Sequence, residues 1–444
     1  MREELDPVDA DTGVDPQAEQ ADYLLSKQAV AAILHAVDAG DQAQLIELME
    51  PLHAADIADL LEQLNGTDRR RFVTLYDREF DGDILSELDE SLREDIMAVL
   101  RPDVLADAVR ELDTDDVVDL VEDLDEPQQE AILDVLEDAD RVAVEQALSY
   151  PEYSAGRLMQ REVVVAPEHW TVGEAIDFLR NAEELPGQFY HVTLVDPRWH
   201  PVGNVTLGKL MSARRDVKLT ELVEDVFQVF PVTQDEGDVA YAFNQYHLIS
   251  APVVDEDERL VGVITIDDAM IVLDEEHEED ILRMAGVGDE ARLTDTILEA
   301  AKGRALWLFV NLLTAILASL VIDLFSDTIN QMVALAVLMP IVASMGGNAG
   351  TQTMTVAVRS IATRDLTAQN AMRVVMREVS VGAINGALFG CLMALVVVVW
   401  FGIPMLALVI ALAMLGTQIA AALGGIVIPM ALDRAGIDPA PASG

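Results

Sequence analysis

The sequence is poor in cysteine and in basic residues, and both shortages narrow what the protein can be. Its 444 residues contain one cysteine, Cys391, inside an apolar run, so neither a disulfide framework nor a cysteine-based metal site is possible. Only four lysines occur among 28 basic residues, against 79 acids, for a net charge of −51. A surface of this sign repels phosphate and excludes binding to nucleic acid. Cations are the expected ligands.

The sequence also lacks the short motifs of common enzyme classes. It contains no phosphate-binding loop of the form GxxxxGK[ST], no HExxH and no GxSxG, and its seven histidines are not paired at ligand spacing. We therefore predict that the protein is not an enzyme. The first twenty residues have no apolar core of the kind a secretory signal needs, so the N-terminus is expected in the cytoplasm, with residues 1–21 as a disordered lead-in.

Charge and hydropathy divide the chain into two parts. Residues 304–444 contain six acids and six arginines, so the whole net charge lies in residues 1–303. Between 379 and 432 there is no charged side chain. A helix that crosses ~30 Å of hydrocarbon needs ~20 apolar residues. Four spans are predicted, with a break at Gly402-Ile403-Pro404, at about 305–325, 332–358, 379–401 and 404–432.

The positive residues of the membrane part all flank the same ends of these spans. Lys302 and Arg304 precede the first span, four arginines lie between the second and third, and Arg434 follows the fourth. The positive-inside rule makes this side cytoplasmic. The sequence thus predicts a multi-pass protein of the cell membrane whose N-terminus and acidic region are cytoplasmic.

The second span carries small and polar residues at membrane depth. Its central run, LMPIVASMGGNAGTQTMTV, includes Pro340, Asn348, Gln352 and several hydroxyl side chains. Small residues let membrane helices approach closely, and Ser or Thr can bond to carbonyls of their own helix. A Pro followed by Gly-Gly-Asn-Ala-Gly can also interrupt the helix and expose carbonyls, which is tolerated where the backbone is buried in protein or lines a water-filled path. Of these interpretations, the residues favour a pore or ion site.

Part of the soluble region is an internal repeat. Residues 191–211 and 250–270 align without a gap at an offset of 59, so that Gly203 matches Gly262, for example. Each copy reads as strand, turn, strand and helix start. This form resembles a tandem pair of CBS domains over roughly 155–275.

The repeat suggests a nucleotide site in one copy only. In CBS domains a Thr and the Asp three residues later often contact a nucleotide ribose. Thr265 and Asp268 fit this pattern, whereas the first copy has Thr206 and Lys209. Asp268 can equally cap the helix that follows it. Binding of ATP or another adenine nucleotide stays open beside that structural role.

Upstream of the repeat, apolar residues return at three- and four-residue spacing in short units such as ADIADLLEQL and DDVVDLVEDL. This pattern predicts an all-α, superhelical domain of short antiparallel helices. Asp115 and Asp119 lie one helical turn apart and therefore share a face. Further on, six of the seven residues at 274–280 are acidic. Two explanations compete for this acidity: specific divalent-cation sites, or a solvation coat adapted to high salt. The coat is the better explanation for most of the acids.

Together these features resemble the MgtE family of magnesium channels, over residues 22–444. The most specific piece is GGNAG followed by Gln352 and, later, ATRDL. The resemblance implies a homodimer whose pore is lined chiefly by the second and fifth membrane helices. It also implies a multidomain membrane protein with an all-α N-terminal domain, α/β tandem CBS domains and an α-helical transmembrane domain with four spans. The implied boundaries are 1–21 (lead-in), 22–150 (helical domain), 151–275 (CBS pair), 276–303 (connecting, or plug, helix) and 304–444 (transmembrane domain).

The family further implies Mg²⁺ uptake that is closed by cytoplasmic Mg²⁺ bound between the helical domain, the CBS pair and the plug helix. Mg²⁺ can bridge carboxylates that otherwise repel one another. Matched to the family's motifs, the sensing positions are Asp83, Asp115, Asp119, Asp235, Asp268, Glu276, Glu279 and Asp280. The pore motif is Gly346, Gly347, Asn348, Gly350, Thr351 and Gln352.

Several positions depart from the family pattern. Gly237, His247 and Ile271 stand where family members can have acids, and Thr351 replaces a usual Asn in the pore motif. The sequence GIDPAPASG resembles the link into a fifth span, which would bring a pore aspartate. Either a truncation or completion of the pore by another chain is expected, and truncation is preferred. The alternative function is a non-conducting, membrane-anchored sensor of cations or nucleotides.

Overall fold

The computed structural model describes residues 25–122, 124–182, 185–287, 297–367, 369–437 and 439. The expected lead-in at 1–21 lies outside these residues. The described chain divides into two compact units, with the division after Leu273. The first unit contains the helical domain and the CBS pair, and the second contains the long apolar helices.

The first unit begins with a series of short helices joined by tight turns. Their bounds are α1 Lys27–Ala39, α2 Gln42–Met49, α3 Ala54–Gln63, α4 Gly66–Tyr76, α5 Gly82–Ser86, α6 Glu90–Met97, α7 Pro102–Glu111, α8 Thr114–Glu122, α9 Glu126–Leu133 and α10 Asp138–Leu148.

The polar residues between the apolar runs explain why these helices are short. Ser26, Asp41 and Asn65 accept hydrogen bonds from backbone N–H groups in the first turns of α1, α2 and α4. After α1, Gly40 takes φ +67°, the left-handed conformation that ends a helix. Each helix then buries one apolar face in a shared core, whose largest fully buried side chains include Phe72. The predicted all-α N-terminal domain is confirmed.

The CBS pair consists of two similar three-stranded sheets. In each sheet the first strand is parallel to the second and the second is antiparallel to the third, in the orders β1-β2-β3 and β4-β5-β6. The bounds are α11 Ala155–Leu158, β1 Val165–Pro167, α12 Val172–Asn181, β2 His191–Val195, β3 Pro201–Thr206, α13 Leu207–Ser212, β4 Phe230–Pro231, α14 Glu236–Tyr246, β5 Ser250–Val254, β6 Leu260–Thr265 and α15 Ile266–Ala285.

The two copies match residue by residue at the predicted offset of 59. The register of β2 against β3 shifts between Leu194 and Val195, and that of β5 against β6 shifts at the equivalent Val253 and Val254. Each copy has its own apolar core. The helices that follow differ, because α13 has 6 residues and α15 has 20. Helix α15 therefore runs out of the second copy into the acidic segment.

The second unit holds the rest of α15 and the long apolar helices. Their bounds are α16 Ile297–Asp323, α17 Ser326–Gln331, α18 Ala334–Ala362, α19 Ala371–Phe401 and α20 Pro404–Arg434. The predicted plug helix at 276–303 corresponds to the second half of α15 and the first turns of α16, and residues 288–296 lie outside the described part. By length and composition, α16, α18, α19 and α20 can each cross a membrane, and no other described helix can.

Helix α20 packs between α18 and α19. Gly382 and Gly390 of α19 lie against backbone atoms of Gln418 and Ala411, so that the two helices approach closely where side chains are missing. The hairpin between them turns at the predicted break. Gly402 takes φ +65° after α19, and Pro404 begins α20 at a position where a missing N–H costs nothing.

The second span is not interrupted. Helix α18 continues through Pro340 and the GGNAG sequence to Ala362. Thr351 donates a hydrogen bond to the Gly347 carbonyl at 3.1 Å, and Thr355 does so to the Thr351 carbonyl at 3.0 Å. The expected exposure of backbone carbonyls by a helix break is therefore not what the structure has. The Thr351 and Thr355 hydroxyls bond within their own helix, as the other interpretation of this segment proposed.

Candidate cation site and pore helix

The N-terminus of α8 and the N-terminus of α15 bring aspartates together. Asp113, Asp115 and Asp116 belong to the sequence DTDD at the start of α8. They lie close enough to Asp268, or to its neighbour Asp267, to influence one another's ionisation. The shared feature is negative charge contributed by both the helical domain and the second CBS copy.

Two contacts hold the helical domain against the segment that enters the CBS pair. The hydroxyl of Thr114 donates to Glu162 at 2.7 Å, and the Thr114 N–H lies 3.4 Å from the other oxygen of that carboxylate. Glu162 thus caps α8 from outside the helix. At the other end of α8, Glu122 forms an ion pair with Arg157 at 2.7 Å. Both ends of α8 are therefore tied to residues 157–162.

Burial and like charge raise the pKa values of this cluster. Burial raises the pKa of Asp116 to about 7, with Asp268 and Asp113 adding to the effect. Burial raises the pKa of Asp268 to about 6, although a hydrogen bond from Thr265 opposes the change. The pKa of the buried Asp115 is raised well above its usual value by burial first and by Asp268 second. When all of these carboxyl groups are ionised at the same time, their mutual repulsion destabilises the contact between the helical domain and the second CBS copy.

Two further members of the cluster are more weakly affected. Burial raises the pKa of Asp113, and the Glu162 carboxylate adds to that effect. Burial likewise raises the pKa of Asp83, helped by its neighbour Asp81. Asp83 lies in the first turn of α5, and its carboxylate contributes in turn to the raised pKa of Asp113 and Asp116.

The donor chemistry of the cluster fits a hydrated hard cation. Carboxylate oxygens are the ligands that Mg²⁺ prefers, and Mg²⁺ keeps several waters and needs only one or two carboxylates. Within the described ranges, no three His, Cys, Asp or Glu side chains are placed to hold one metal ion together. The arrangement therefore suits bridging of carboxylates by a partly hydrated ion rather than a closed set of direct ligands.

The other predicted sensing residues of the first unit have different surroundings. Asp119 forms an ion pair with Arg93 at 2.6 Å, and the Arg93 guanidinium also donates to the Leu88 and Ser86 carbonyls. Asp119 still contributes to the raised pKa of Asp116. Asp235 is the N-cap of α14, and its side chain accepts from the Asp238 N–H at 3.2 Å. The structure gives Asp119 and Asp235 structural roles and leaves their predicted sensing roles as predictions.

Glu276, Glu279 and Asp280 lie on α15 in the second unit, beyond the division between the units. Glu276 is exposed and Asp280 is half-buried. Glu279 forms an ion pair with Arg283 one turn later, at 2.7 Å. Near the end of the same helix, Met284 packs against Met354 and Val358 of α18. The plug segment and the second span are thus in contact within this unit.

At the predicted nucleotide position, the Asp268 carboxylate already accepts hydrogen bonds at the start of its own helix. Its carboxylate accepts from the Thr265 hydroxyl at 2.5 Å and from the Thr265 N–H at 3.3 Å. In the first copy, the Thr206 hydroxyl accepts from the Lys209 N–H, and the Lys209 ammonium pairs with Glu224 at 3.1 Å. The capping role of Asp268 is therefore present, and nucleotide binding has to use the same side chains.

Helix α18 presents a polar face at membrane depth. Gly347, Asn348, Thr351 and Gln352 are exposed, while Gly346 is buried against Thr417 of α20. Gly350 is half-buried. The motif predicted to line the pore is thus split into a packing side, which contains Gly346 and Gly350, and an open side, which contains Gly347 and the amide and hydroxyl groups.

A buried amide anchors α18 next to this motif. Gln418 of α20 is almost fully buried and donates from Nε2 to the Met345 carbonyl at 3.2 Å. Gly425 lies opposite the Gly350 carbonyl and the Thr353 side chain. These contacts fix α18 to α20 on the packing side, and the polar face stays open.

Sequence reasoning missed four acids of the cluster: Asp113, Asp116, Glu162 and Asp267. Asp113 and Asp116 flank Asp115 in the sequence DTDD, and this density of acids at a helix start is a local signal that could have found them. Glu162 carries no such signal, because it lies 48 residues from Thr114 and reaches it only through the tertiary fold.

Comparisons with known proteins match family profiles to the helical domain, the CBS pair and residues 339–444 of the membrane part. The profile described as "Divalent cation transporter" (MgtE) matches residues 339–444, and that described as "MgtE intracellular N domain" matches 52–153. The CBS domain profile matches 155–216 and 221–275.

Two curated relatives carry the same name. The "Magnesium transporter MgtE" of Thermus thermophilus is 32% identical over 425 residues, which cover 94% of this chain and 93% of the relative. The protein of that name in Bacillus subtilis is 30% identical over 312 residues, or 70% and 69% of the two chains. Among solved structures, "Crystal structure of the cytosolic domain of the Mg2+ channel MgtE in complex with ATP" matches with a TM-score of 0.51 and 29% identity, over 55% of this chain and 99% of that one.

Proposed function

The chain belongs to the MgtE family of magnesium transporters, and from this premise we propose that it conducts Mg²⁺ into the cell and closes when cytoplasmic Mg²⁺ is plentiful. Mg²⁺ is the transported ion in this proposal and also the regulatory ligand. The observation that carries the conducting role is the open polar face of α18. Two amides and a hydroxyl facing hydrocarbon would be costly, so this face has to meet protein or water.

The partner for that face is a second copy of this chain. In a homodimer with two-fold symmetry, α18 of each protomer would place Asn348, Thr351 and Gln352 along one path. A partly hydrated Mg²⁺ would pass between these groups. Thr351 keeps an oxygen at a position where the family usually has an amide, so ion selectivity is the property most sensitive to that residue.

The orientation follows from the arginines of the membrane unit. Arg359, Arg364, Arg373 and Arg377 lie at and between the ends of α18 and α19, which the positive-inside rule places in the cytoplasm. The helical domain and the CBS pair then face the cytoplasmic Mg²⁺ pool from the cell membrane. The proposal thus places the sensing region on the side where Mg²⁺ accumulates.

Closing by Mg²⁺ is supported by the raised pKa values of the cluster formed by Asp113, Asp115, Asp116 and Asp268. Without a cation, these carboxylates repel one another across the contact between the helical domain and the second CBS copy. A bound Mg²⁺ removes the repulsion and therefore favours the arrangement in which the two domains touch. A ligand shifts a conformational equilibrium only by such differential affinity.

The remaining predicted sensing residues join this proposal with smaller expected effects. Asp83 lies near the cluster. To bind Mg²⁺, Asp119 has to leave or share its ion pair with Arg93. Asp235 would have to give up its capping hydrogen bond at the N-terminus of α14. Glu276, Glu279 and Asp280 are proposed to bind Mg²⁺ on the plug segment of α15.

An adenine nucleotide is the second proposed ligand, at Thr265 and Asp268. Support comes from the similar solved structure, whose description names ATP as its ligand. Because Asp268 has a raised pKa and lies in the acidic cluster, nucleotide binding there is expected to depend on Mg²⁺ and pH. Binding of ATP to the purified protein with and without Mg²⁺ tests this assignment.

Uptake by reconstituted vesicles tests the conducting role. Vesicles that contain the protein are loaded with a Mg²⁺-sensitive dye, and external Mg²⁺ is added. We expect uptake that Asn348→Leu abolishes and Ser319→Ala, on the exposed surface of α16, leaves unchanged. A folded dimer without uptake favours the alternative of a non-conducting sensor.

Limited proteolysis tests the regulatory role. Millimolar Mg²⁺ is expected to slow cleavage of residues 150–303, and Asp115→Asn is expected to reduce that protection. The matched control is Asp59→Asn, an exposed acid of α3 away from the cluster. Equal cleavage of the wild-type protein with and without Mg²⁺ would rule out closing by this mechanism.

A further inference from the structure

Helix α19 carries a carboxyl group that is buried among the membrane helices. Glu378 is 7% exposed, and within the described residues it has no hydrogen-bond or ion-pair partner. Its neighbours in sequence, Arg373 and Arg377, are exposed, and neither forms an ion pair with it in the described part of the chain. An ionisable group in this position is costly and marks an ion path or an ion site.

The carboxyl oxygens of Glu378 are not sealed off. The fully enclosed side-chain polar atoms without a partner in the described chain are Arg161 Nε and Asn204 Oδ1, both in the first unit. The Glu378 oxygens therefore keep some accessible surface. A water molecule or an ion can reach them without unfolding the unit.

Two further oxygen groups of the same unit lack the i, i+4 hydrogen bond that oxygens of this kind can form within their own helix. Thr353 of α18 is 7% exposed, and unlike Thr351 and Thr355 its hydroxyl has no partner among the described residues. In α20, the residue four positions after Gly425 is Pro429, which has no N–H to donate to the Gly425 carbonyl. A hydroxyl and a carbonyl are thus available inside the unit.

Register and depth bring these three groups to one level. Gly382, one turn after Glu378, lies against Gln418 and Ala422, so Glu378 faces α20 one turn further toward the cytoplasm. At this level of α20, Gly425 lies against Thr353 of α18. At 1.5 Å per residue, all three groups are about 10–14 Å inside the cytoplasmic ends of their helices.

We propose that Glu378, with the Thr353 hydroxyl and the Gly425 carbonyl, forms a binding site for a partly hydrated divalent cation at the inner end of the pore helix. The inference rests on the proposed conducting role, because Gly425 packs on the carbonyl of Gly350 in the pore motif. Mg²⁺ keeps most of its waters and is bound through one or two carboxylates, which one acid and two neutral oxygens can match. The site would attract ions that leave the pore motif toward the cytoplasm.

Protection from a hydrophobic carbodiimide tests binding directly. The protein in lipid nanodiscs is treated with dicyclohexylcarbodiimide, and modification of Glu378 is measured by peptide mass spectrometry with and without about 10 mM Mg²⁺, which fills a cation site whose Kd is as weak as ~1 mM. We expect Mg²⁺ to slow modification of Glu378 several-fold and to leave that of Asp433, an exposed acid of α20, unchanged. Modification that responds to pH and not to Mg²⁺ would show a site for protons only and overturn the proposal.

A second arm separates direct from indirect protection. In Asp115→Asn/Asp268→Asn, the acidic cluster of the first unit is weakened while Glu378 is intact. Protection of Glu378 by Mg²⁺ is expected to persist in this variant. Its loss there would mean that Mg²⁺ acts through the cytoplasmic cluster, and the proposed site would be wrong.

Uptake measurements separate this proposal from the proposed function. We expect Glu378→Gln to lower Mg²⁺ uptake about tenfold, Glu378→Asp to restore part of it, and Ser380→Ala, on the exposed side of α19, to have no effect. Dimer size and helix content show whether each variant folds. If the wild-type protein itself does not conduct, the conducting role fails, while carbodiimide protection still reports on the site. If Glu378→Gln takes up Mg²⁺ at the wild-type rate, the proposed cation site at Glu378 is wrong.

Discussion

His191 and Ser250 contact each other although they occupy the same position in the two CBS copies. Nδ1 of His191 lies 2.7 Å from Oγ of Ser250, within hydrogen-bond distance, and each residue begins the middle strand of its sheet. The pseudo-two-fold axis of the pair therefore passes between them. Since the contact joins the two copies, it reports on how tightly they are held together.

The protonation of His191 is expected to weaken this contact. Burial lowers the pKa of His191, and Glu224 opposes that change only in part. A lowered folded-state pKa means that the unfolded chain binds the proton more readily, so this residue's contribution to stability is lost as pH falls below about 6.5. Urea unfolding between pH 5 and 8 should show that the stability difference between the wild type and His191→Gln shrinks at low pH. An unchanged difference would contradict the assignment.

The acidic cluster predicts the opposite dependence on pH. Because the folded-state pKa values of Asp116 and Asp268 are about 7 and about 6, the native state holds protons that the unfolded chain has lost. Its stability without Mg²⁺ therefore falls as pH rises from about 4 to about 7. At pH 8 without Mg²⁺, Asp116→Asn should stabilise the first unit by on the order of 2–4 kcal/mol.

The control for this prediction is Asp59→Asn, which removes an equal charge from the exposed face of α3. Chemical unfolding in EDTA measures both variants. Added Mg²⁺ should stabilise the wild type more than Asp116→Asn. A variant that is less stable than the wild type at pH 8 would show that the aspartate is not under repulsion.

Two glycines of α20 should respond differently to the same substitution. A Cβ at Gly425 would lie 2.7 Å from the Gly350 carbonyl and 3.0 Å from the Thr353 Cβ, so α18 and α20 would have to move apart. A Cβ at Gly416 meets nothing within 4 Å. Gly425→Ala is expected to cost about 1–3 kcal/mol of packing, measured as a lower Tm in detergent, whereas Gly416→Ala should be neutral or stabilising. Equal Tm values would argue against close packing of these helices.

A tryptophan of α16 fixes the end of α15. A Cβ at Gly286 would fall on the indole ring of Trp307, and Gly286 has φ +66°. Gly40 has φ +67° with open space around it, so Gly40→Ala measures the backbone strain alone. Gly286→Ala should therefore be more destabilising than Gly40→Ala, which costs about 1 kcal/mol. Trp307→Ala should restore part of the loss, and no rescue would mean that the ring does not set the cost.

The fold followed from the sequence where the signals were local or repeated. The 59-residue repeat predicted two equivalent sheets, and even the register shift recurs at matching residues in β2 and β5. The break at Gly402–Pro404 separated α19 from α20 because both residues have fixed backbone preferences. The predicted interruption of α18 was wrong, because α18 continues through Pro340. In membrane helices, hydroxyl side chains and neighbouring helices can satisfy the backbone groups that a proline leaves free.

The site was less predictable, because its members are distant in sequence. Helical spacing placed Asp115 and Asp119 on one face, yet Asp115 is buried near Asp268 while Asp119 pairs with Arg93. Spacing describes only one helix, whereas these partners come from other elements. For the same reason nothing in the sequence linked Glu162 to the cluster.

The sequence by itself determined the division of the chain into an acidic soluble part and a neutral membrane part, the number of spans in the described chain, and the family. Those properties depend on composition and on local motifs, and neither of these requires knowledge of contacts between residues that are distant in sequence. Tertiary structure decided which carboxylates matter. Most of the 79 acids are indistinguishable in sequence. Only packing buries Asp115 near Asp268 and buries Glu378 in the membrane unit, and the low polarity of a buried site is what makes a charge there need a cation.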